Sequence, residues 1–193
     1  MIFATKIILI GDGGVGKTSI RNKFMGKSFN ESYIPTFGAD ISIKKHTIID
    51  NGQEHLMKLT IWDLAGQPTF SNVRFHYYQG THGILVVYDI TNEKSFHNII
   101  NWMDEVGKHL KFGRIPIILL GNKTDLRTSG KGVVTTEEGR KLAEKLSDYT
   151  NSSWIVPFFE TSALEGDMIE KAFDQLSFLL LRLQSDVGGN LPK

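Results

Sequence analysis

The chain has 193 residues, 40% of them apolar and 22% charged, which suits one domain of ordinary size and excludes a globally disordered chain. Lysine and arginine exceed aspartate and glutamate by one, a net charge of +1, so nothing electrostatic favours nucleic acid or an anionic membrane as the main partner. There is no cysteine, which excludes disulfides, thiolate metal sites, cysteine nucleophiles and lipids on cysteine; no apolar run approaches a membrane span, and Met1–Lys6 lacks the pattern of a signal peptide.

Ile7–Ile10 is a short continuous apolar run of the kind that fills a strand buried on both faces. It runs into Gly11-Asp12-Gly13-Gly14-Val15-Gly16-Lys17-Thr18, followed by Ser19, which fits G-x-x-x-x-G-K-[ST]. A chance match in a chain this long has odds on the order of one per cent, and a strand before and a helix after are the context the motif requires. Glycines let backbone N–H groups turn inward around phosphate oxygens, and the helix N-terminus adds its dipole. Lys17 would reach the outer phosphates and the Thr18 hydroxyl would ligate Mg²⁺. Between the first helix and a hairpin lies Tyr33-Ile34-Pro35-Thr36. Alone, Thr36 reads as a loop threonine; beside a phosphate loop its hydroxyl suits Mg²⁺ and its N–H the γ-phosphate, contacts that hydrolysis removes.

Residues 38–48 and 55–62 read as strands joined through Asn51-Gly52, a hairpin signal that predicts one antiparallel strand beside a parallel sheet. The second strand ends in Asp63-Leu64-Ala65-Gly66-Gln67. Asp63 stands where a second Mg²⁺-associated carboxylate belongs, Gly66 N–H could meet the γ-phosphate, and Gln67 could orient an attacking water. Ile84–Tyr88 and Ile115–Leu120 are further strand-like runs, with a helical pattern at Phe96, Ile99, Ile100, Met103 and Leu110 between them.

The second of these runs leads into Asn122-Lys123-Thr124-Asp125, at the strand end where open α/β sheets bind ligands. An ionised aspartate only accepts hydrogen bonds. Guanine offers it two adjacent donors, N1–H and the 2-amino group, whereas adenine offers an acceptor and nothing. Asp125 would therefore hold guanine in a bidentate pair and reject adenine. Thr135 and Glu138 form a capping box before Leu142, Ala143 and Leu146. Trp154–Phe159 reads as a sixth strand, at an edge because of Pro157. Ile169 to Leu183 is an amphipathic helix, and Gln184–Lys193, with two glycines and a proline, reads as a frayed tail. The pattern predicts a three-layer α/β domain over residues 1–183 with right-handed crossovers, and a short flexible tail over 184–193.

The motifs GDGGVGKTS, YIPT, WDLAGQ, GNKTD and ETSA recur in order over about residues 5–183, and with the stretch Tyr77–Thr91 they resemble a small GTPase of the Ras superfamily, closest to the Rab branch. The resemblance implies a P-loop fold with a six-stranded, mainly parallel sheet and about five helices, and a GTP/GDP switch that hydrolyses GTP slowly. It implies that Phe29 packs on guanine, that Ser162 and Ala163 back the base, and that Lys17, Thr36, Gly66 and Gln67 serve catalysis while Thr18, Thr36 and Asp63 hold Mg²⁺. Departures from the family are Pro68 for glutamate, Ile41 for a phenylalanine grouped with Trp62 and Tyr77, Leu164 for lysine, and a tail without cysteines.

The leading reading is a slow GTPase switch, with exchange factor, activating protein and effectors meeting its switch loops. A metabolic P-loop phosphotransferase and a nucleotide-bound scaffold that never hydrolyses are the other two. Asn122 and Asp125 oppose the first of these, and Gln67 and Thr36 oppose the second. A cytoplasmic monomer that binds no nucleic acid is expected, without a lipid anchor of its own and reaching membranes only through partners.

Overall fold

In the computed structural model, which describes residues 3–28, 35–127, 133–152 and 154–188, the run Ile7–Ile10 ends the first strand, β1 (Phe3–Ile10). Ile7 and Leu9 enter one buried cluster and Ile8 and Ile10 another, because successive strand side chains point to opposite faces. β2 (Ala39–Asp50) and β3 (Gln53–Leu64) form the antiparallel hairpin, each longer than its expected span. Asn51 and Gly52 turn it with φ of 51° and 78°, the doubly positive geometry that Asn-Gly tolerates best.

β4 (Gly83–Asp89), β5 (Ile117–Asn122) and β6 (Phe158–Thr161) complete a six-stranded sheet of order β2-β3-β1-β4-β5-β6. Every neighbouring pair except β2–β3 is parallel, so helices must cross over the faces. They are α1 (Lys17–Phe24), α2 (Ser71–Tyr78), α3 (Glu93–His97), α4 (Ile99–Gly107), α5 (Thr136–Tyr149) and α6 (Ile169–Gly188). α3 and α4 are one arm interrupted at Asn98, which leaves five helical units. Leu110 lies beyond the end of α4, although the apolar spacing extends to it.

α1 and α6 cover one face, where the Phe24 and Phe173 rings stack 3.7 Å apart. Trp102 and Met103 of α4 and Leu142 and Leu146 of α5 cover the other, around Tyr88. The capping box at Thr135 and Glu138 is formed as expected.

Other spans differ from the sequence reading as well. The sixth strand is an edge strand, but it begins at Phe158, after Pro157, rather than at Trp154. The Val156 N–H donates to Ser147 Oγ on α5 at 2.8 Å, so this stretch is fastened to a helix instead of a ladder. The final helix continues to Gly188, past the expected start of the tail at Gln184; residues 189–193 lie outside the described set. No described helix is long and apolar enough to cross a membrane.

Candidate nucleotide site

The phosphate loop hangs between the carboxyl end of β1 and the start of α1, at the centre of the sheet. Gly16 caps α1 in left-handed conformation, φ 99° and ψ 19°. A Cβ there would stand 2.2 Å from Asn122 Nδ2, so no other residue fits. Lys17 is only 6% exposed, and its Nζ donates to the carbonyls of Gly11 and Asp12, each at 2.7 Å. Burial pulls its ammonium down to about 8, while Asp63 and Asp12 pull it upward and Arg74 opposes them. A desolvated ammonium at the start of a helix suits phosphate oxygens.

Three oxygens meet beside it. Thr18 Oγ1 donates to Asp63 Oδ2 at 2.5 Å, and Thr36 Oγ1 stands 3.2 Å from Thr18 Oγ1. Asp63 is fully buried and its Oδ1 has no hydrogen-bond partner. Burial raises its pKa, against the Thr18 bond and the Lys17 and Arg21 charges. Two hydroxyls and a carboxylate with a spare buried oxygen are the donor set of a hard divalent cation, and they fit Mg²⁺.

Gly66 brings the loop after β3 onto the phosphate loop. A Cβ at Gly66 would lie 2.4 Å from Asp12 C and 2.5 Å from Gly11 O and Gly13 N, contacts only glycine avoids. Gln67 is extended, φ −72° and ψ 141°, as a residue before proline must be. Pro68 opens a 3₁₀ turn, Pro68–Phe70, at the position that spares a backbone donor. Gln67 Oε1 is buried without a partner.

On the base side, Asn122 binds protein on both ends. Its Nδ2 donates to Val15 O at 2.9 Å, and its Oδ1 accepts from Thr161 Oγ1 at 3.1 Å and Ala163 N at 3.2 Å. It thus ties the phosphate loop to the loop after β6. Lys123 takes a left-handed conformation and reaches Asp89 Oδ2 at 2.7 Å. Ser162 Oγ donates to Asp125 Oδ1 at 2.5 Å, which orients the carboxylate. Leu164 is half-exposed, and its carbonyl accepts from Lys23 Nζ. Ser19 is partly buried on α1, and Gly13 and Gly14 are exposed. Phe29 and Tyr33 lie outside the described residues.

Several residues around this site escaped the sequence reading. Asp12 Oδ1 accepts from Asn98 Nδ2 at 2.5 Å and Trp102 Nε1 at 2.8 Å. Arg74, nearly fully buried, lies over the Trp102 ring and donates through Nη1 to the carbonyls of Ala65 and Gln67 at 3.1 and 2.8 Å. Glu105 holds it in a fork at 2.9 and 2.7 Å and also accepts from Tyr78 OH. Asn98, Trp102 and Glu105 follow an i, i+4, i+7 spacing that marks one helix face, the available clue to this cluster.

A strand–glycine loop–helix around a buried lysine, a hydroxyl–carboxylate centre and a base loop built on Asn122 and Asp125 define a P-loop protein that binds guanine nucleotides. The Ras family model matches residues 6–181. The chain is 39% identical over 171 residues to the Ras-related protein RabC of Dictyostelium discoideum, covering 89% of this chain and 81% of RabC. It is 40% identical over 189 residues to Rab-13 of Canis lupus familiaris, covering 97% and 86%, and 39% identical over 175 residues to SEC4 of Saccharomyces cerevisiae, covering 91% and 74%. The chain belongs to the Ras family, close to its Rab proteins; it binds GTP and GDP, hydrolyses GTP and works as a nucleotide switch.

Proposed function

We propose that Thr18, Thr36 and Asp63 hold Mg²⁺ beside the phosphates that Lys17 and the loop Gly11–Gly16 grip. The observation that carries this is the meeting of three oxygens from three segments at 2.5 and 3.2 Å. When bound, the cation neutralises charge on the phosphate oxygens. Thr36 and Gly66 then report the γ-phosphate through their N–H groups, Gln67 orients the water, and Asp125 reads guanine.

Intrinsic hydrolysis on the order of 10⁻⁴ to 10⁻³ s⁻¹ is expected of a switch without an arginine aimed at the phosphates. Gly13 leaves room for one from an activating protein. Identifying the nucleotide that co-purifies, and timing its hydrolysis with Mg²⁺ and with EDTA, tests this reading. Guanine nucleotide and Mg²⁺-dependent turnover support it; adenine nucleotide, or turnover indifferent to EDTA, contradicts it.

The same loops serve partners. Phe37, 80% exposed, and Ile41, Ile43, Val73 and Phe75 form apolar surface on both switch segments. Ile41 faces Trp62 across the hairpin, and Trp62 lies 5.9 Å from the Tyr77 ring. Exchange factor, activating protein and effectors dock here on a monomer, in a Rab-like trafficking role. A cytoplasmic location suits a switch that draws on the cell's GTP. Membrane recruitment runs through these partners at the switch surface.

A further inference from the structure

Arg21 has no place in the expected site, yet it reaches the cation centre. It stands on α1 three residues beyond Thr18, on the same face of the helix. Its side chain is 4% exposed, and Nη1 lies 2.6 Å from Asp40 Oδ2 and 3.9 Å from Asp63 Oδ2. Asp40 and Asp63 are direct partners across the β2–β3 ladder. Two carboxylates in such positions repel, and Asp63 is fully buried. Lys17, held by the Gly11 and Asp12 carbonyls, also acts on Asp63, but Arg21 is the cation that reaches both carboxylates and so makes the pair tolerable.

Its fit is electrostatic rather than a tight fork. Nε and Nη1 are buried without an aligned acceptor, and Nη2 donates to Asn22 Oδ1 at 3.1 Å. The oxygen it approaches, Asp63 Oδ2, is the one that accepts the Thr18 hydroxyl. A divalent cation held by Thr18, Thr36 and Asp63 must share that carboxylate with a fixed guanidinium, and two cations so close in a dry site oppose each other.

Resting on the Mg²⁺ assignment above, we infer that Arg21 is a built-in competitor of Mg²⁺ for Asp63. It holds Asp63 and the first residues of β2 together when the cation leaves, and it sets the Mg²⁺ concentration at which nucleotide is retained. Because Asp40 lies four residues beyond Thr36, the same ion pair ties the first switch segment to the cation centre. Arg21 is a positioning residue: it acts through Asp63 and touches no phosphate.

The test is release of a fluorescent GDP analogue from the full chain across a Mg²⁺ titration. Arg21→Met keeps an apolar stem and removes the charge, and the Mg²⁺ midpoint should fall about tenfold. Arg21→Lys, which restores the charge, should return the midpoint toward that of the parent. Asp40→Asn, at an exposed side chain, should raise it, because Arg21 is freed for Asp63 and a nearby negative charge is lost. A midpoint that Arg21→Met leaves unchanged or raises overturns the inference, as does one shared by the Met and Lys variants. Should Arg21→Met fail to fold, Asp40→Asn decides, and an unchanged or lowered midpoint overturns it. Release that ignores Mg²⁺ in the parent overturns the Mg²⁺ assignment itself, which separates the two failures.

Discussion

In the proposed site, Asp125 serves recognition and Gln67 serves timing. Ser162 fixes one oxygen of Asp125, so the carboxylate is oriented before a base arrives. Asp125→Asn replaces one acceptor with a donor facing the guanine amino group, and GTP affinity should fall about 100-fold or more. Xanthine has a carbonyl there and should gain. Competition among GTP, ATP and XTP measures both, and equal affinity of the parent chain for ATP and GTP contradicts the assignment. Gln67→Leu should abolish hydrolysis in a single-turnover assay while GTP stays bound. A parental rate would remove Gln67 from the water-positioning role; its extended backbone before Pro68 and its unpartnered Oε1 are the features that make this variant informative.

Among the elements, α4 acts as the anchor of the second switch segment. Arg74 grips the carbonyls on both sides of Gly66, and Glu105 grips Arg74. Removing the carboxylate charge leaves the buried Arg74 guanidinium without its counter-ion, so Glu105→Gln should cost about 2–4 kcal/mol at neutral pH. Burial alone would raise the Glu105 pKa, but the bonds from Arg74 and Tyr78 outweigh it and hold the carboxyl below its ordinary 4.5. A depressed folded-state pKa gives stability that is complete above the unfolded value and is lost as pH falls through the folded one. The melting-temperature gap between parent and Glu105→Gln should therefore stay constant from pH 8 to about 5 and narrow below 4.5. A gap that ignores acid would mean that Glu105 does not anchor Arg74 as an ion.

Local signals were legible in the sequence where one segment decides the outcome. Asn51-Gly52 set the hairpin, Thr135 and Glu138 the α5 cap, and Pro157 the edge position of β6. The phosphate loop and the Asn122–Asp125 loop were legible for the same reason. The Arg74 clamp was not, because Arg74 and Glu105 are 31 residues apart and meet only when α2 and α4 pack. Trp154–Val156 misled because a Ser147 hydroxyl on another element claimed its backbone. Arg21 was overlooked because a basic residue on a helix usually faces water, and only the Asp40–Asp63 register shows what draws it inward.

At the scale of the molecule, the sheet carries the phosphate and base loops on the carboxyl ends of β1 and β5, held to each other by Asn122. The segments bearing Thr36 and Gln67 lie beside the hairpin and α2, where Thr36 meets Thr18 and the Gln67 carbonyl meets Arg74. The apolar stripe of α6 is consumed by the core, through Phe173, Leu176 and Leu180. The purified chain should accordingly stay in the supernatant with protein-free anionic liposomes, whether loaded with GDP or a GTP analogue. Nucleotide-dependent co-sedimentation would show that α6 or a switch segment inserts directly.

The switch itself is tested most directly by hydrogen exchange on the full chain, loaded with GDP or with a non-hydrolysable GTP analogue. The γ-phosphate should protect residues 30–40 and 64–79 and leave 121–126 and 161–164 as they were in the GDP form. Protection confined to those base-binding segments, or none at all, would contradict a molecule whose two states differ at the loops that carry Thr36 and Gln67.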